Sequence, residues 1–256
     1  LGGAVAKAFA QAGARVFLTG RTLAPLQKLA DEIAASGGSA DVDRVDVLDA
    51  QAIKMHLESV LQAAGTVDIS FNATGIPVVQ NIPLVDIAPD DFVRPVTFAM
   101  QSQFLTATAA ARIMMKAGQG VILTLTATPG GIGYPFTGGF APACCAIEGF
   151  SRNLAGELGI YGIRVVNIRS AGSPDSKVFK DAIDANPEAM AHILQTMEAD
   201  TMLKKQPLMA DIANVAVFLV SGLAGKITGV TVDVTSGTTA GLNYRTSSKM
   251  VTFGQQ

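Results

Sequence analysis

The chain has 256 residues, a net charge of −2, 49% hydrophobic residues and two cysteines side by side. That is enough apolar chain for one sizeable core, and it excludes a disordered protein. A balanced charge without basic clusters, apolar runs too short to span a bilayer and adjacent thiols that suit no disulfide framework predict a cytoplasmic protein with neither nucleic acid nor membrane as partner.

The opening LGGAVAKAFAQAGA predicts a helix whose first turn, through Gly2, lets its positive end approach a phosphate closely. GARVFLTG follows as a short buried strand and TLAPLQKLADEIAAS as a helix with apolar residues at helical spacing. DRVDV then leads into the helix DAQAIKMHLESVLQAAG, and VDISFNATG into a long helical region over about 88–117. GVILTLTA is another buried strand, followed by a helix over 139–159. GIRVVNIRSAG comes next, then a polar, lid-like helical insertion over about 176–203. MADIANVAVFLVSG and ITGVTVDVT close the pattern, and about 236–256 reads as a polar, irregular tail. Continuous apolar strands alternating with helices predict an α/β fold, one domain over 1–256, with a parallel sheet covered on both faces. Ligands of such a sheet bind beyond the carboxyl ends of its strands, here TGR, DV, NATG, TATPGG and RSAGSP.

In this order the segments resemble the short-chain dehydrogenase/reductase family over essentially the whole chain. LGGAVA looks like the tail of that family's glycine-rich turn, and DVLD like its adenine-contacting turn. NATG stands where the family has Asn-Asn-Ala-Gly, and ELGIYGIRVVNIRSAG is similar to its segment leading to Pro-Gly. MADIANVAVFLVSGLAGKITGVTVDVTSG is similar to its closing helix and strand. The resemblance implies a Rossmann-type doubly wound parallel sheet, a nicotinamide cofactor and a small carbonyl-type ligand. It also implies a homodimer or homotetramer formed through the helix that holds Phe140 and its predecessor. The family's first strand and earlier glycines are absent from this text. Residues upstream of Leu1 are therefore expected in the native gene, and without them the sheet is expected to expose buried edges.

The cofactor contacts implied by the resemblance are Gly2 at the first helix, Thr22 after the GARVFLTG strand, and Asp46 with Val47 in the adenine turn. Asn72, Ala73 and Gly75 come from NATG, and Gly172 with Ser173 from the segment after GIRVVNIRSA. An acidic residue at the end of GARVFLTG would hold the ribose diol of NAD. Gly20 stands there instead, followed by Arg21, whose guanidinium can pair with a 2′-phosphate. NADP(H) is therefore expected over NAD(H). The bland readings are a solvated Arg21, an Asp46 that ends a strand and an Asn72 that bonds backbone locally.

Enzymes of the family transfer hydride with a tyrosine acid, a lysine in Tyr-x-x-x-Lys, an upstream serine and an asparagine. The lysine's charge lowers the tyrosine's pKa, while the serine and asparagine hold the substrate and a relay water. By alignment Phe140 stands in the tyrosine's place, Cys144 in the lysine's, Ala127 in the serine's and Ala99 in the asparagine's. No Tyr-x-x-x-Lys exists in the chain, and no lysine lies between Lys116 and Lys177. All four positions read as vacant of that chemistry.

Other candidates carry less. Cys144 and Cys145 lack a local cation to activate a thiol, and a buried apolar filler is the commoner state. His56 is expected on the surface, and His192 reads as a solvated residue of the insertion. Tyr134, on the loop over the pocket, is the minority candidate for a relocated proton donor. Glu148 and Arg152, one turn apart, read as an intrahelical pair. No metal-ligand spacing appears, so no metal is expected. Three functions stay open: a nucleotide-binding protein without hydride chemistry, an oxidoreductase with a relocated donor such as Tyr134, or a non-redox enzyme using the same pocket.

Overall fold

The computed structural model describes residues 1–240. Six strands alternate with eight helices among them. The first half comprises α1 (Gly2–Gln11), β1 (Arg15–Gly20), α2 (Leu23–Ala35), β2 (Ser39–Arg44), α3 (Ala50–Ala64), β3 (Ile69–Phe71) and α4 (Pro89–Ala117). The second comprises β4 (Gly120–Ala127), α5 (Phe140–Leu158), β5 (Ile163–Ser170), α6 (Lys177–Ala185), α7 (Pro187–Asp200), α8 (Met209–Val220) and β6 (Thr231–Val234).

Local chemistry sets several of these boundaries. The Asp49 carboxylate accepts the backbone N–H groups of Gln51 and Ala52, and Gly65, at φ 76°, ends the same helix α3. Pro89 sits in the first turn of α4 with Asp90 and Asp91, Lys116 lies in its last turn, and Gly118 at φ 70° stops it. The predicted insertion is two helices rather than one. Asn186 caps the second through the N–H of Ala189, and Pro187, lacking an N–H, cannot continue the first.

Every strand pair is parallel. The order is β1-β2 in one sheet and β3-β4-β5-β6 in another, with no ladder joining β1 to β3. A common core spans this break: Val5 and Phe9 of α1 pack with Leu123, Val166 and Ile168 of the larger sheet and Ile212 and Leu219 of α8, with Val16 of β1 against them. The opposite face is covered by α4 and α5, whose Met114 and Leu158 pack with Ile122, Ile163 and Val165. This is the Rossmann-like arrangement expected, with helices on both faces.

One buried polar seam crosses this apolar sheet. Asn167, fully buried in β5, accepts the Thr124 hydroxyl at 2.8 Å and donates to the Thr126 hydroxyl at 2.7 Å, both on β4. Among the described residues no helix is long and apolar enough to cross a membrane. Of the predicted tail, 236–240 forms a turn in which the Thr238 hydroxyl donates to Thr235, and the remainder lies outside the described residues.

Candidate functional site

The carboxyl ends of the strands gather the residues singled out by sequence. Arg21 and Thr22 follow β1, Asp46 and Val47 follow β2, Asn72 to Gly75 follow β3, and Gly172 and Ser173 follow β5. The start of α1 meets this edge: a Cβ placed on Gly2 would lie 3.3 Å from the Ala73 Cβ. The backbone of α1 can come this close to the NATG segment because Gly2 has no side chain. On the far side, helices α6 and α7 pack against Gly172, where an added Cβ would meet Phe179 and Met197 at 2.7 Å.

These residues differ in what they leave free. Arg21 and Thr22 are exposed, and Thr22 makes no side-chain capping bond at the N-terminus of α2. Asp46 is exposed and accepts the Leu48 N–H at 3.0 Å. Asn72 is buried and committed internally: it donates to the Ser102 carbonyl and the Thr106 hydroxyl and accepts the Thr74 N–H. The Thr74 contact is the local backbone bond of its bland reading, and the other two tie the end of β3 to α4. Nothing lies near an added Cβ at Gly75, and Ser173 is buried, its carbonyl accepting the Ser176 N–H.

The four positions of interest, Phe140 and Cys144 on α5, Ala127 on β4 and Ala99 on α4, lie in different surroundings. The start of α5 is wedged: Gly138 has φ 55° and Gly139 faces the Phe92 carbonyl of α4, leaving no room for a side chain at either. Phe140 is half-buried at the helix start and Ala127 half-buried at the end of β4. Ala99 is buried against Ala143 and Ile147, with Ile76 and Val96 packed around them. Cys144 is completely buried. Burial pushes its thiol up to about 11, and the nearby Glu148 carboxylate adds to the rise.

Cys145 is exposed, its thiol donating to the Gly130 carbonyl at 3.7 Å. At pH 8 the Cys144 thiolate fraction is about one in a thousand. An alkylating reagent is therefore expected to label Cys145 rapidly and Cys144 only after unfolding, as counted by mass spectrometry. Two rapidly reacting thiols in the native protein would show that Cys144 is accessible.

Beneath these positions lies an ion network that sequence reading missed. Glu148 does not pair with Arg152. Its carboxylate accepts the Arg169 Nε–H at 2.9 Å and Nη2–H at 2.6 Å, and the Thr126 hydroxyl at 2.9 Å. Arg169 Nη1 reaches both Asp233 oxygens at 3.0 Å. The Arg169 pKa is raised, chiefly by the hydrogen bonds it donates to Glu148, against the burial that lowers it. Gly130 and Gly131 press on this network: a Cβ on the first would come 2.5 Å from the Glu148 carboxylate, and on the second 2.6 Å from the Arg169 guanidinium. The available signal was a charge near the end of each of two neighbouring apolar strands, Arg169 in VVNIRSAG and Asp233 in VTVDVT.

Tyr134 lies on the loop after β4, 42% exposed, with its carbonyl accepting the Thr137 hydroxyl. His192 is exposed on α7, as expected. His56 departs from the expected surface position: its side chain is only 13% exposed, with Nδ1 3.0 Å from Asp43 on β2. Helix α3 packs close enough to the smaller sheet to tuck the ring away. No group of three or more His, Cys, Asp or Glu side chains among the described residues could hold a metal ion.

Known proteins resemble the chain along nearly all of its described length. The family described as "Enoyl-(Acyl carrier protein) reductase" matches residues 1–239. The chain is 30% identical over 236 residues to a 3alpha-hydroxysteroid dehydrogenase of Mediterraneibacter gnavus, covering 90% of this chain and 88% of that one. It is 29% identical over 237 residues to a 3-oxoacyl-acyl-carrier-protein reductase of Escherichia coli, covering 93% and 92%. Among solved structures, a short-chain type dehydrogenase/reductase from Mycobacterium marinum is 28% identical with a TM-score of 0.81, covering 94% of this chain and 91% of that one. A gluconate 5-dehydrogenase from Burkholderia cenocepacia, in complex with NADP and tartrate, shares the fold with a TM-score of 0.83 at 21% identity, covering 93% and 91%.

Proposed function

The chain belongs to the short-chain dehydrogenase/reductase family, and on that premise we propose that it binds a nicotinamide dinucleotide, NADP(H) over NAD(H), without the family's hydride-transfer machinery. Its role is then that of a binding protein, a cofactor sensor or a non-catalytic subunit. One observation carries this reading: Phe140, Ala127, Ala99 and Cys144 offer neither a proton-donating hydroxyl nor an ammonium, and Ala99 and Cys144 are sealed in packed interior.

The residues present fit the dinucleotide. The narrow approach of Gly2 to Ala73 supports a diphosphate at the N-terminus of α1. Exposed Asp46 and half-buried Val47 suit the adenine side, and exposed Arg21 supports the 2′-phosphate preference. The nicotinamide supplies a hydride when bound. What the chain lacks is a group that holds or moves a proton at the substrate oxygen. A positioned acid contributes about two to four orders of magnitude in rate, so a carbonyl ligand can be held here without being reduced at an enzymatic pace. The outer faces of α4 and α5, where Phe104 and Phe150 form a tilted ring pair at 6.4 Å, support a homo-oligomer, with Phe104 53% exposed.

The test titrates NADPH by fluorescence and then follows its oxidation against a broad carbonyl panel. Saturable binding with turnover at least about a hundredfold below ordinary family rates is expected. Turnover at such rates, abolished by Tyr134→Phe, would establish a relocated donor instead. A separate activity lost in Cys144→Ala would point to non-redox chemistry.

A further inference from the structure

The best-defined unassigned feature at the nucleotide edge is a second arginine. Gly20, the last residue of β1, pairs in register with Arg44, the last residue of β2. Neighbouring strands run about 4.8 Å apart, and residues paired in parallel register face the same side of the sheet. That side is fixed by Gly20, where an added Cβ would touch Leu26 of α2 at 3.4 Å. The same face holds Val42, packed in the cluster of Leu18, Ala30 and Ile33 beneath α2. Arg44 therefore emerges on the α2 side of the sheet beside Gly20, the residue that Arg21 follows in the chain.

Both guanidiniums are exposed, and neither makes an ion pair or hydrogen bond among the described residues. The nearest carboxylates in sequence are otherwise engaged. Asp43 pairs with His56, Asp49 caps α3, and Asp46 accepts the Leu48 N–H. Two exposed guanidiniums without an ion-pair partner among the described residues, one on the last residue of β2 and one just after β1, are suited to a dianionic phosphate monoester.

We infer that Arg44 is a specificity-determining residue that shares with Arg21 the 2′-phosphate of an NADP-type dinucleotide. This rests on the proposed function, but it assigns a residue and a role that Arg21 alone does not supply. Arg21 belongs to the loop entering α2, whereas Arg44 is anchored by the β1-β2 ladder, and the Val45 N–H donates to the Gly20 carbonyl at 3.1 Å just beyond it. Arg44 is thus the better-positioned of the two charges, and Arg21 closes on the phosphate from the loop.

The experiment measures dissociation constants of NADPH, NADH, adenosine 2′,5′-bisphosphate and 5′-AMP by calorimetry for the wild type, Arg44→Ala, Arg44→Lys and Arg21→Ala. Arg44→Ala is expected to weaken NADPH and the bisphosphate about tenfold or more, leaving NADH and 5′-AMP within about twofold, and Arg44→Lys to recover part of the loss. Unchanged NADPH affinity in Arg44→Ala, with a large loss in Arg21→Ala, would overturn the assignment while leaving the NADP preference intact. Equal wild-type affinities for NADPH and NADH would overturn both the assignment and the preference but leave dinucleotide binding standing. Binding of neither dinucleotide would remove the proposed function itself, and this inference with it.

Discussion

Glu148→Ala is expected to destabilise the protein by about 3–5 kcal/mol, the range seen when one partner of a buried ion pair is removed. The Glu148 and Arg169 side chains are only 8% and 13% exposed. Alanine at 148 leaves the guanidinium with Asp233 alone and the Thr126 hydroxyl without its acceptor, so the penalty comes from groups stranded out of water rather than from one lost attraction. For a chain of this size each kcal/mol shifts the melting temperature by about 2–4 °C, which puts the fall at about 6–20 °C. Arg152→Ala is the discriminating control. Arg152 is exposed, and its removal is expected to change stability by no more than about 0.5 kcal/mol. If Arg152→Ala costs as much as Glu148→Ala by thermal or urea unfolding, the pairing within α5 read from the sequence is the right one after all.

Gly139→Ala is expected to be comparably severe, for a steric reason alone. The residue has φ −75°, which any amino acid adopts. Its Cβ, however, would run into the Phe92 carbonyl and stand 3.1 Å from the Pro95 ring, both on the long helix α4. Backbone cannot rotate aside as a side-chain tip can, so the cost falls at the upper end of overpacking, about 3 kcal/mol or more. Gly133→Ala, where an added Cβ meets nothing within 4 Å, is expected to stay within about 0.5 kcal/mol. Equal denaturant midpoints for the two variants would mean that α4 and α5 can separate at this point without penalty.

Much of the fold was readable because its signals are local. Apolar runs such as VILTL and VVNI must be buried on both faces, and their alternation with helical patterns leaves few topologies besides a parallel sheet. The two-part insertion was also written locally, in Asn186 and Pro187, but its polar composition hid the break. The ion network was hidden for a different reason. Thr126, Glu148, Arg169 and Asp233 come from four elements, and only the fold brings them within bonding distance; the sequence offered Arg152, one turn from Glu148, as the nearer partner. His56 was misjudged in the same way, because its neighbour Asp43 sits on the strand against which its helix leans. At the cofactor edge the sequence located Arg21, next to a glycine at a strand end, but it took the register of β1 against β2 to bring Arg44 beside it.

The Thr124–Asn167–Thr126 seam carries a consequence for how the central strands find each other. Valines and isoleucines on β4 and β5 pack nearly as well if one strand slides past its neighbour, since one branched aliphatic side chain substitutes for another. An amide locked between two hydroxyls does not tolerate such a slide: a shift by one residue turns Asn167 into the opposite hydrophobic layer and strands its amide there. The seam acts as an alignment key, giving up some apolar burial so that only one pairing of these two strands is well satisfied.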